Sequence, residues 1–276
     1  MKIASTAAFT AGMNAPIVYR GPFYKIFSDM VEDGYKAVEV HIADSREIDR
    51  KELWRDLNDS NLILTSIGTG AAYGKWHWNI GDHSIDTRRK ALECLREHMY
   101  TAQPDHAIII IGSLQGRFRD ANSPEEFEYN IEESLYQIDR MAMEMDVPVG
   151  FEIMNHYESD FLYNISQGSA YIKAHDYKKI RLHIDTVHMN IEEKDLGGVI
   201  RKAGGLINHV HIADNDRYYP GHARINFREI LQALMDIQYH GALALETYCF
   251  PESRYVGRRS LAYLNFILEE LNEENN

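Results

Sequence analysis

The chain has 276 residues, 45% of them hydrophobic, and a formal net charge of −13 from 29 basic and 42 acidic residues. This length suffices for one large core, whereas the acidic balance disfavours nucleic acid and anionic membranes as partners, because Lys and Arg hold phosphate groups. No stretch approaches the ~18 consecutive apolar residues of a membrane span, and Cys94 and Cys249 stand in no metal or redox spacing. We therefore expect a cytoplasmic protein without disulfides.

Short apolar strands alternate with amphipathic helices along the whole chain. The predicted strands are 2–6, 35–42, 62–68, 107–112, 147–154, 179–185, 207–213 and 242–248. The predicted helices are 24–34, 44–61, 83–104, 123–146, 158–176, 191–204, 226–241 and 258–274. Strict alternation predicts a parallel sheet, and eight such units predict a (β/α)8 TIM barrel that spans residues 1–276 as a single domain. An open doubly wound sheet is the alternative, which the missing G-x-G-x-x-G after the first strand disfavours.

Four consecutive predicted strands carry a metal-ligand side chain near their carboxyl ends. Glu152 lies in the fifth strand, Asp185 ends the sixth, His211 lies in the seventh and Glu246 in the eighth. The carboxyl ends of barrel strands meet at one face, so these side chains are expected to lie together. Three clustered carboxylates repel one another, and a divalent cation removes that cost. Three oxygen ligands and one nitrogen suit Mn²⁺ or Mg²⁺, with Co²⁺ tolerated, and a structural polar cluster is the alternative.

Polar residues on the following loops are expected at the same end of the barrel. His188 and Arg217 follow the sixth and seventh strands and are predicted to contact the substrate, although a structural histidine and a solvated arginine are the alternatives. Glu158 is either a substrate contact or an acid in the first turn of a helix. His209 lies two residues before the seventh-strand histidine and is expected to pack deeper in the barrel.

Two tryptophans, Trp76 and Trp78, occupy the loop after the third strand. They either stack on the apolar face of a sugar or pack as part of a lid. The glycine-rich segment "GTGAAYG" before them lacks the Lys and Ser/Thr of a P-loop, so we do not expect a phosphate cradle there.

With these residues in view, the chain resembles the xylose-isomerase-like barrel superfamily, and within it the ketose 3-epimerases of the D-tagatose and D-allulose group. The likeness covers nearly the whole chain and is strongest between Phe151 and Tyr248. It is carried by "FEIMNHYESD", "DTVHMNIEEKD" and "HVHIADNDRYYPG". Three departures from the group's pattern, at His156, in "HIAD" and in "PGHARINF", lie at the predicted substrate mouth and leave the sugar open.

The resemblance implies a reaction and a role for each candidate residue. The implied ligands of one divalent metal ion, Mn²⁺ first, are Glu152, Asp185, His211 and Glu246. Glu152 and Glu246 would also be the acid–base pair that inverts C3 of a free ketose through a cis-enediolate. Glu158, His188 and Arg217 would bind the substrate oxygens, and the protein would be a homodimer or homotetramer.

Other functions remain as alternatives at this stage. The same chemistry on a phosphorylated ketose needs an anion site, to which Arg217 or Arg224 could contribute. A sugar isomerase or an inosose dehydratase would share this kind of metal site. A nuclease of the endonuclease IV kind is disfavoured by the charge of −13 and by the few histidines in the early strands, where His41 is the main candidate. A non-catalytic sugar-binding barrel is disfavoured because both glutamates are present.

Overall fold

The computed structural model describes residues 1–274 of the chain. Its strands are β1 (Lys2–Ala8), β2 (Tyr19–Arg20), β3 (Ala37–His41), β4 (Ile63–Gly68), β5 (Ile108–Ile111), β6 (Val149–Glu152), β7 (Ile180–Asp185), β8 (Ile207–Ile212) and β9 (Ala242–Leu245). Its α-helices are α1 (Phe23–Glu32), α2 (Arg50–Ser60), α3 (Ala71–Trp76), α4 (Ile85–Ala102), α5 (Pro124–Met145), α6 (Ile165–His175), α7 (Thr186–Glu192), α8 (Leu196–Ala203), α9 (Phe227–Asp236) and α10 (Ser253–Glu274).

Eight of the strands form a closed parallel barrel. Their order is β1, β3, β4, β5, β6, β7, β8 and β9, and β9 pairs with β1 to close the ring, for example at Ala244 and Ala4. The two-residue β2 pairs with Ala7 and Ala8, beyond the point where β9 stops pairing with β1. The predicted TIM barrel is therefore confirmed, whereas the predicted domain bounds extend two residues past the described part and remain a prediction.

The core forms a shell between the strands and the helices. In β3, Val38 and Val40 belong to this shell, and Glu39 between them faces the opposite way, as the two-residue period of a strand requires. The same alternation in β8 places Val210 in the shell and turns its histidine neighbours into the barrel. The barrel interior therefore collects the polar side chains of the strands.

Helix starts follow local capping chemistry. Ser123 accepts a hydrogen bond from the backbone N–H of Glu126 at 3.2 Å, and Pro124 occupies the first turn of α5. Asn164 caps α6 in the same way, with the N–H of Gln167 at 2.9 Å. The predicted helix 158–176 was therefore too long, because its first residues form a loop that ends at this cap.

Three other differences from the predicted elements concern short segments. The predicted helix 191–204 covers only the last two residues of α7 and then α8, which starts at Leu196 because Asp195 caps it through the N–H of Gly198 at 2.7 Å. The strand β2 and the six-residue α3 were not predicted, since neither is long enough to show a period. Within residues 1–274, no helix combines the length and the apolar character needed to cross a membrane.

Candidate active site

The structure brings the four predicted ligands to the carboxyl-terminal face of the barrel. Glu152 and Asp185 are the last residues of β6 and β7, His211 is next to last in β8, and Glu246 directly follows β9. Register explains their proximity, because Asp185 is paired with His211 across β7 and β8. All four are buried, with Asp185 fully inaccessible.

The ligand atoms of these residues converge. One atom each of Glu152, Asp185 and His211 lies within 4.8 Å of the other two, which is a spacing that can hold a metal ion. Glu246 joins them through Oε2, which is 3.3 Å from His211 Nδ1. The same Nδ1 is 3.7 Å from Asp185 Oδ2 and makes no well-directed hydrogen bond, although it is buried.

These residues fit a divalent cation. A buried imidazole nitrogen without a well-directed hydrogen bond, 3.3 and 3.7 Å from two carboxylates, is a position where a cation can replace a proton. The oxygen-rich donor set is the kind that Mn²⁺ and Mg²⁺ prefer. The residues that could hold a metal are therefore Glu152, Asp185, His211 and Glu246.

Arg217 lies among the same carboxylates. Its Nη1 donates to Asp185 Oδ2 at 2.5 Å, and its Nη2 donates to Glu246 Oε2. Burial alone would raise the pKa of Asp185, but the nearby positive charge of Arg217 lowers it to about 2. The guanidinium thus keeps the Asp185 carboxylate ionised, which is the state in which it can bind a metal.

The loop that carries Arg217 is fastened to Asp214. The fully buried carboxylate of Asp214 accepts backbone N–H groups of residues 215, 221, 223, 224 and 225 at 2.8–3.1 Å. Arg217 itself adopts a positive φ of 64°, and its N–H donates to the carbonyl of Asp214 at 2.8 Å. This aspartate belongs to the "HIAD" segment, where the sequence departs from the epimerase pattern, and here it orders the substrate-side loop.

His188 and its neighbours form a second polar group beside Glu152. His188 Nε2 is 3.5 Å from Glu152 Oε1, and His188 Nδ1 is 2.6 Å from Asn155 Nδ2. Asn155 also donates to Glu158 at 3.3 Å, and the Glu158 side chain is exposed. His188 is thus a buried residue oriented towards the candidate ligands, whereas Glu158 lies at the rim of the site.

Glu39 is the functional residue that sequence reasoning missed. Its fully buried carboxylate bonds His211 Nε2 at 2.8 Å and His41 Nε2 at 2.7 Å through Oε1. Its Oε2 bonds His209 Nε2 at 2.7 Å and accepts from Ser66 at 2.5 Å. A carboxylate on Nε2 of His211 leaves the Nδ1 lone pair for a metal. The signal in the sequence is one acid inside the apolar run "YKAVEVHI".

Inside the barrel, buried acids and histidines shift one another's pKa values. Burial would raise the pKa of Glu39, but the imidazole of His211 and hydrogen bonds from His209 and His41 hold it well below the usual range. Burial would lower the pKa of His211, but Glu39 and Glu246 raise it well above its usual value. Burial lowers the pKa of His209 to about 4. His209 is therefore neutral and packed below His211, as the sequence predicts.

The two tryptophans of the segment after β4 pack on each other. Trp76 and Trp78 stack with ring centroids 4.4 Å apart, and the ammonium of Lys75 lies 4.4 Å from the Trp76 ring. Both rings pack against the core shell. The structure thus gives the tryptophans a packing role at the edge of the site, and Lys75 is the residue of this group that lines the cavity.

The site opens into a cavity of about 990 Å³. Its inner wall includes Glu152, His211 and Glu246, and Gly112 lies against the Glu152 carboxylate. A Cβ at residue 112 would stand 2.1 Å from Glu152 Oε2, so a side chain there would displace this carboxylate from its position. The arrangement can bind a small polyol, hold a cation against it, and present carboxylates to its carbon-bound protons.

Comparison with known proteins identifies the family. The model of the xylose isomerase-like TIM barrel family matches residues 27–265. The L-ribulose 3-epimerase of Mesorhizobium japonicum is 30% identical over 225 residues, which are 79% of this chain and 72% of that protein. The 3-dehydro-D-guloside 4-epimerase of Escherichia coli is 27% identical over 253 residues, 86% of this chain and 95% of that protein.

A solved structure shows the same fold. The D-psicose 3-epimerase of Clostridium cellulolyticum H10, determined with D-tagatose, superposes with a TM-score of 0.83 at 20% identity, over 97% of this chain and 99% of that one. The names of the curated relatives confirm the predicted resemblance to ketose 3-epimerases, and epimerases belong to the isomerase class that the sequence predicts. The chain belongs to the xylose isomerase-like TIM barrel family.

Proposed function

We propose that the protein is a metal-dependent epimerase that inverts C3 of a free ketose, with Glu152 and Glu246 as the acid–base pair. One observation carries the proposal: two buried carboxylates, from strands three positions apart around the barrel, face one cavity together with the unpartnered His211 Nδ1. A residue on each face of C3 in the open-chain ketose is what inversion requires, because one proton leaves and another arrives on the opposite face.

The proposed metal ligands are Glu152, Asp185, His211 and Glu246, and Mn²⁺ is the proposed ion, with Mg²⁺ or Co²⁺ as alternatives. When bound, a divalent ion acts as a Lewis acid that polarises the sugar carbonyl and stabilises the negative charge of the cis-enediolate. This chain supplies the Asp185 carboxylate in ionised form, since Arg217 holds its pKa at about 2.

The chain's own residues perform the proton transfers. One glutamate of the pair accepts the C3 proton, and the other delivers a proton to the opposite face, a type of catalysis worth about 10²- to 10⁴-fold. His188 and Arg217 would stabilise charge on O2, a role supported by the position of His188 beside Glu152 and of Arg217 beside Asp185. Glu158 at the rim would accept a hydrogen bond from the O1 hydroxyl.

Two substitutions test the acid–base pair. Glu152→Gln and Glu246→Gln should each lower turnover of a ketose by at least about 10²-fold, because an amide cannot accept the proton. Sugar binding, measured by calorimetry with the metal-loaded variant, should persist. The control is Glu128→Gln on the exposed surface of α5. Substantial turnover in either site variant would contradict the assignment.

A second candidate is epimerisation of a keto-glycoside at the carbon next to its ketone. It is favoured by the 3-dehydro-D-guloside 4-epimerase, a relative matched over 95% of its length. The chemistry is the same proton removal and return beside a carbonyl. The two reactions are distinguished by which carbon of the sugar takes up deuterium from D₂O.

The remaining parts of the proposal concern partners and location. We propose a sugar as the only substrate, a homodimer or homotetramer, no nucleic-acid partner, and a cytoplasmic location. The family resemblance supports the oligomer, and the net charge of −13 supports the absence of nucleic acid. Light scattering after size exclusion gives the oligomer directly, and a monomeric mass would overturn that part.

A further inference from the structure

The cavity that contains the proposed catalytic residues extends well beyond them. Its volume of about 990 Å³ lies at the top of the roughly 300–1,000 Å³ typical of pockets for drug-sized ligands. A monosaccharide is much smaller than such a ligand. A single ketose at Glu152, His211 and Glu246 therefore leaves the outer part of the cavity unfilled.

The outer part lies between the loop after β1 and the starts of α1 and α2. We call it the outer subsite and define it by Phe9, Pro16, Tyr24, Ile48, Glu52 and Leu53. Phe9 and Tyr24 are large aromatic residues that are 56% and 64% exposed at its wall. Exposed aromatic faces beside carboxylates suit a sugar ring, because C–H groups pack on the aromatic face while hydroxyls donate to the acids.

The charges at the outer subsite disfavour an anion. Four acids line this region, namely Glu47, Asp49, Glu52 and Asp56. The one lysine on the same wall, Lys75, is paired with Glu47 at 2.7 Å. Glu52 and Asp56 are both paired with Arg55, at 3.0 and 3.1 Å. A phosphate group would therefore meet four carboxylates against two cations that are already paired, and the remaining negative charge opposes its binding.

The direction of the substrate follows from the proposed function, on which this inference rests. Glu158, His188 and Arg217 hold the carbonyl end of the ketose, and they come from the segments that directly follow β6, β7 and β8. The outer subsite lies on the opposite side, beyond β1 and β3. The end of the ketose remote from its carbonyl therefore faces the outer subsite.

We propose that the outer subsite accepts a second, neutral sugar ring joined to the end of the ketose remote from its carbonyl, and that it rejects a phosphate at that position. The substrate class then extends from free ketoses to ketoses glycosylated at that end, and excludes ketose phosphates. The ring lies against Phe9 and Tyr24, with Glu52 accepting its hydroxyl protons.

Three compounds that differ only at O6 test this proposal: D-fructose, its 6-O-glucoside isomaltulose, and D-fructose 6-phosphate. With the Mn²⁺-loaded full chain, kcat/KM for isomaltulose should exceed that for fructose by about tenfold. The kcat/KM for D-fructose 6-phosphate should be at least about tenfold below that for fructose. The proposal would be overturned by a kcat/KM for isomaltulose below that for fructose, or by a kcat/KM for D-fructose 6-phosphate that is the highest of the three.

Two variants identify the residues involved. Tyr24→Ala and Glu52→Gln should each reduce kcat/KM for isomaltulose by about fivefold or more, and leave fructose within about twofold. Tyr129→Ala is the matched control, because Tyr129 is 63% exposed on α5 and does not line the cavity. Equal losses on both sugars would contradict a separate outer subsite.

Binding separates this proposal from the proposed function. Calorimetry of isomaltulose and fructose needs no turnover. If neither sugar is epimerised but isomaltulose binds more tightly and Tyr24→Ala removes the difference, the epimerase proposal fails and the outer subsite stands. If fructose is epimerised while isomaltulose binds no better than fructose, the outer subsite fails alone.

Discussion

At the scale of single residues, Glu39 joins four side chains from three strands. It bonds His41 on its own strand, Ser66 on β4, and both His209 and His211 on β8. Its carboxylate accepts a hydrogen bond from His211 Nε2. This bond fixes the orientation of the imidazole ring, so that Nδ1 points at Asp185 and Glu246. The metal site that we propose therefore depends on a residue that is not one of its four proposed ligands.

Glu39→Gln should weaken Mn²⁺ binding by about 10- to 100-fold, since an amide gives the imidazole no negative partner. The readout is the Mn²⁺ affinity from electron paramagnetic resonance titration, with circular dichroism to confirm the fold. Glu39→Asp, which keeps the charge, should lose less affinity than Glu39→Gln, and Glu128→Gln should lose none. An unchanged affinity in Glu39→Gln would show that Glu39 does not position His211.

The contacts of Arg217 lead to a separate prediction about stability. In Arg217→Ala, the metal-free protein should lose about 3 kcal/mol, because the carboxylates of Asp185 and Glu246 lose their buried partner. Added Mn²⁺ should restore more of the melting temperature in this variant than in the wild type. Differential scanning fluorimetry measures both values, with the exposed Arg119→Ala as control. If Mn²⁺ raised the melting temperature of both proteins equally, Arg217 and the metal would not share the role of neutralising these carboxylates.

The convergence of the strand-end residues could be predicted from the sequence, and the contacts of Glu39 could not. Glu152, Asp185 and Glu246 stand at the ends of apolar runs, which is a local pattern with a known meaning in a barrel. The partners of Glu39 on β8 are 170 and 172 residues away along the chain, so only the closed sheet brings them together. Sequence periodicity shows that Glu39 faces inwards, but not which side chain it meets.

At the scale of elements, the loop between β8 and α9 is ordered by one aspartate. Asp214 accepts five backbone N–H groups, so its side chain replaces the regular hydrogen bonds that a loop lacks. This loop positions Arg217 against Asp185 and Glu246. The order of the loop and the geometry of the site are therefore linked.

Asp214→Ala should loosen residues 215–225 and leave the barrel intact. We expect amide hydrogen exchange in this segment to accelerate by about tenfold or more, because several N–H groups lose their acceptor. The measurement is exchange followed by mass spectrometry. Asp216→Asn in the same loop is the control, since the exposed Asp216 accepts one backbone N–H, from Tyr218 at 3.1 Å. Unaltered exchange in Asp214→Ala would refute this role.

Element prediction succeeded where patterns are long and failed where a cap intervenes. The 22-residue α5 shows a Ser cap, a first-turn Pro and a sustained apolar stripe, and its bounds match closely. Asn164 and Asp195 end loops inside segments that we predicted as continuous helix. Both residue types occur as caps and as ordinary helical surface residues, so the sequence alone does not distinguish the two cases.

At the scale of the whole molecule, stability should fall in mild acid because of a buried histidine. Burial lowers the pKa of His98 to about 4, and His98 packs against Ser45 and Cys94. The folded state thus keeps His98 neutral where the unfolded state, with an ordinary pKa of about 6.5, takes a proton. The unfolded state binds more protons between these two values, so stability decreases as pH falls from about 6.5 to about 4.

His98→Gln should flatten this dependence. Between pH 7 and pH 5, the wild type should lose about 2 kcal/mol of unfolding free energy through His98, and the variant should lose correspondingly less. Urea denaturation at the two pH values measures the difference. His106→Gln, at an exposed site, should keep the wild-type dependence. Parallel pH dependences in His98→Gln and the wild type would show that His98 is not the cause.

The central claim concerns the reaction, and solvent deuterium exchange tests it most directly. The Mn²⁺-loaded protein is mixed with a panel of free ketoses in D₂O, and the C3 position is followed by NMR. The account predicts deuterium at C3 together with the 3-epimer. Deuterium at C1 with an aldose product, or no exchange with any ketose in protein shown to hold metal, would contradict it.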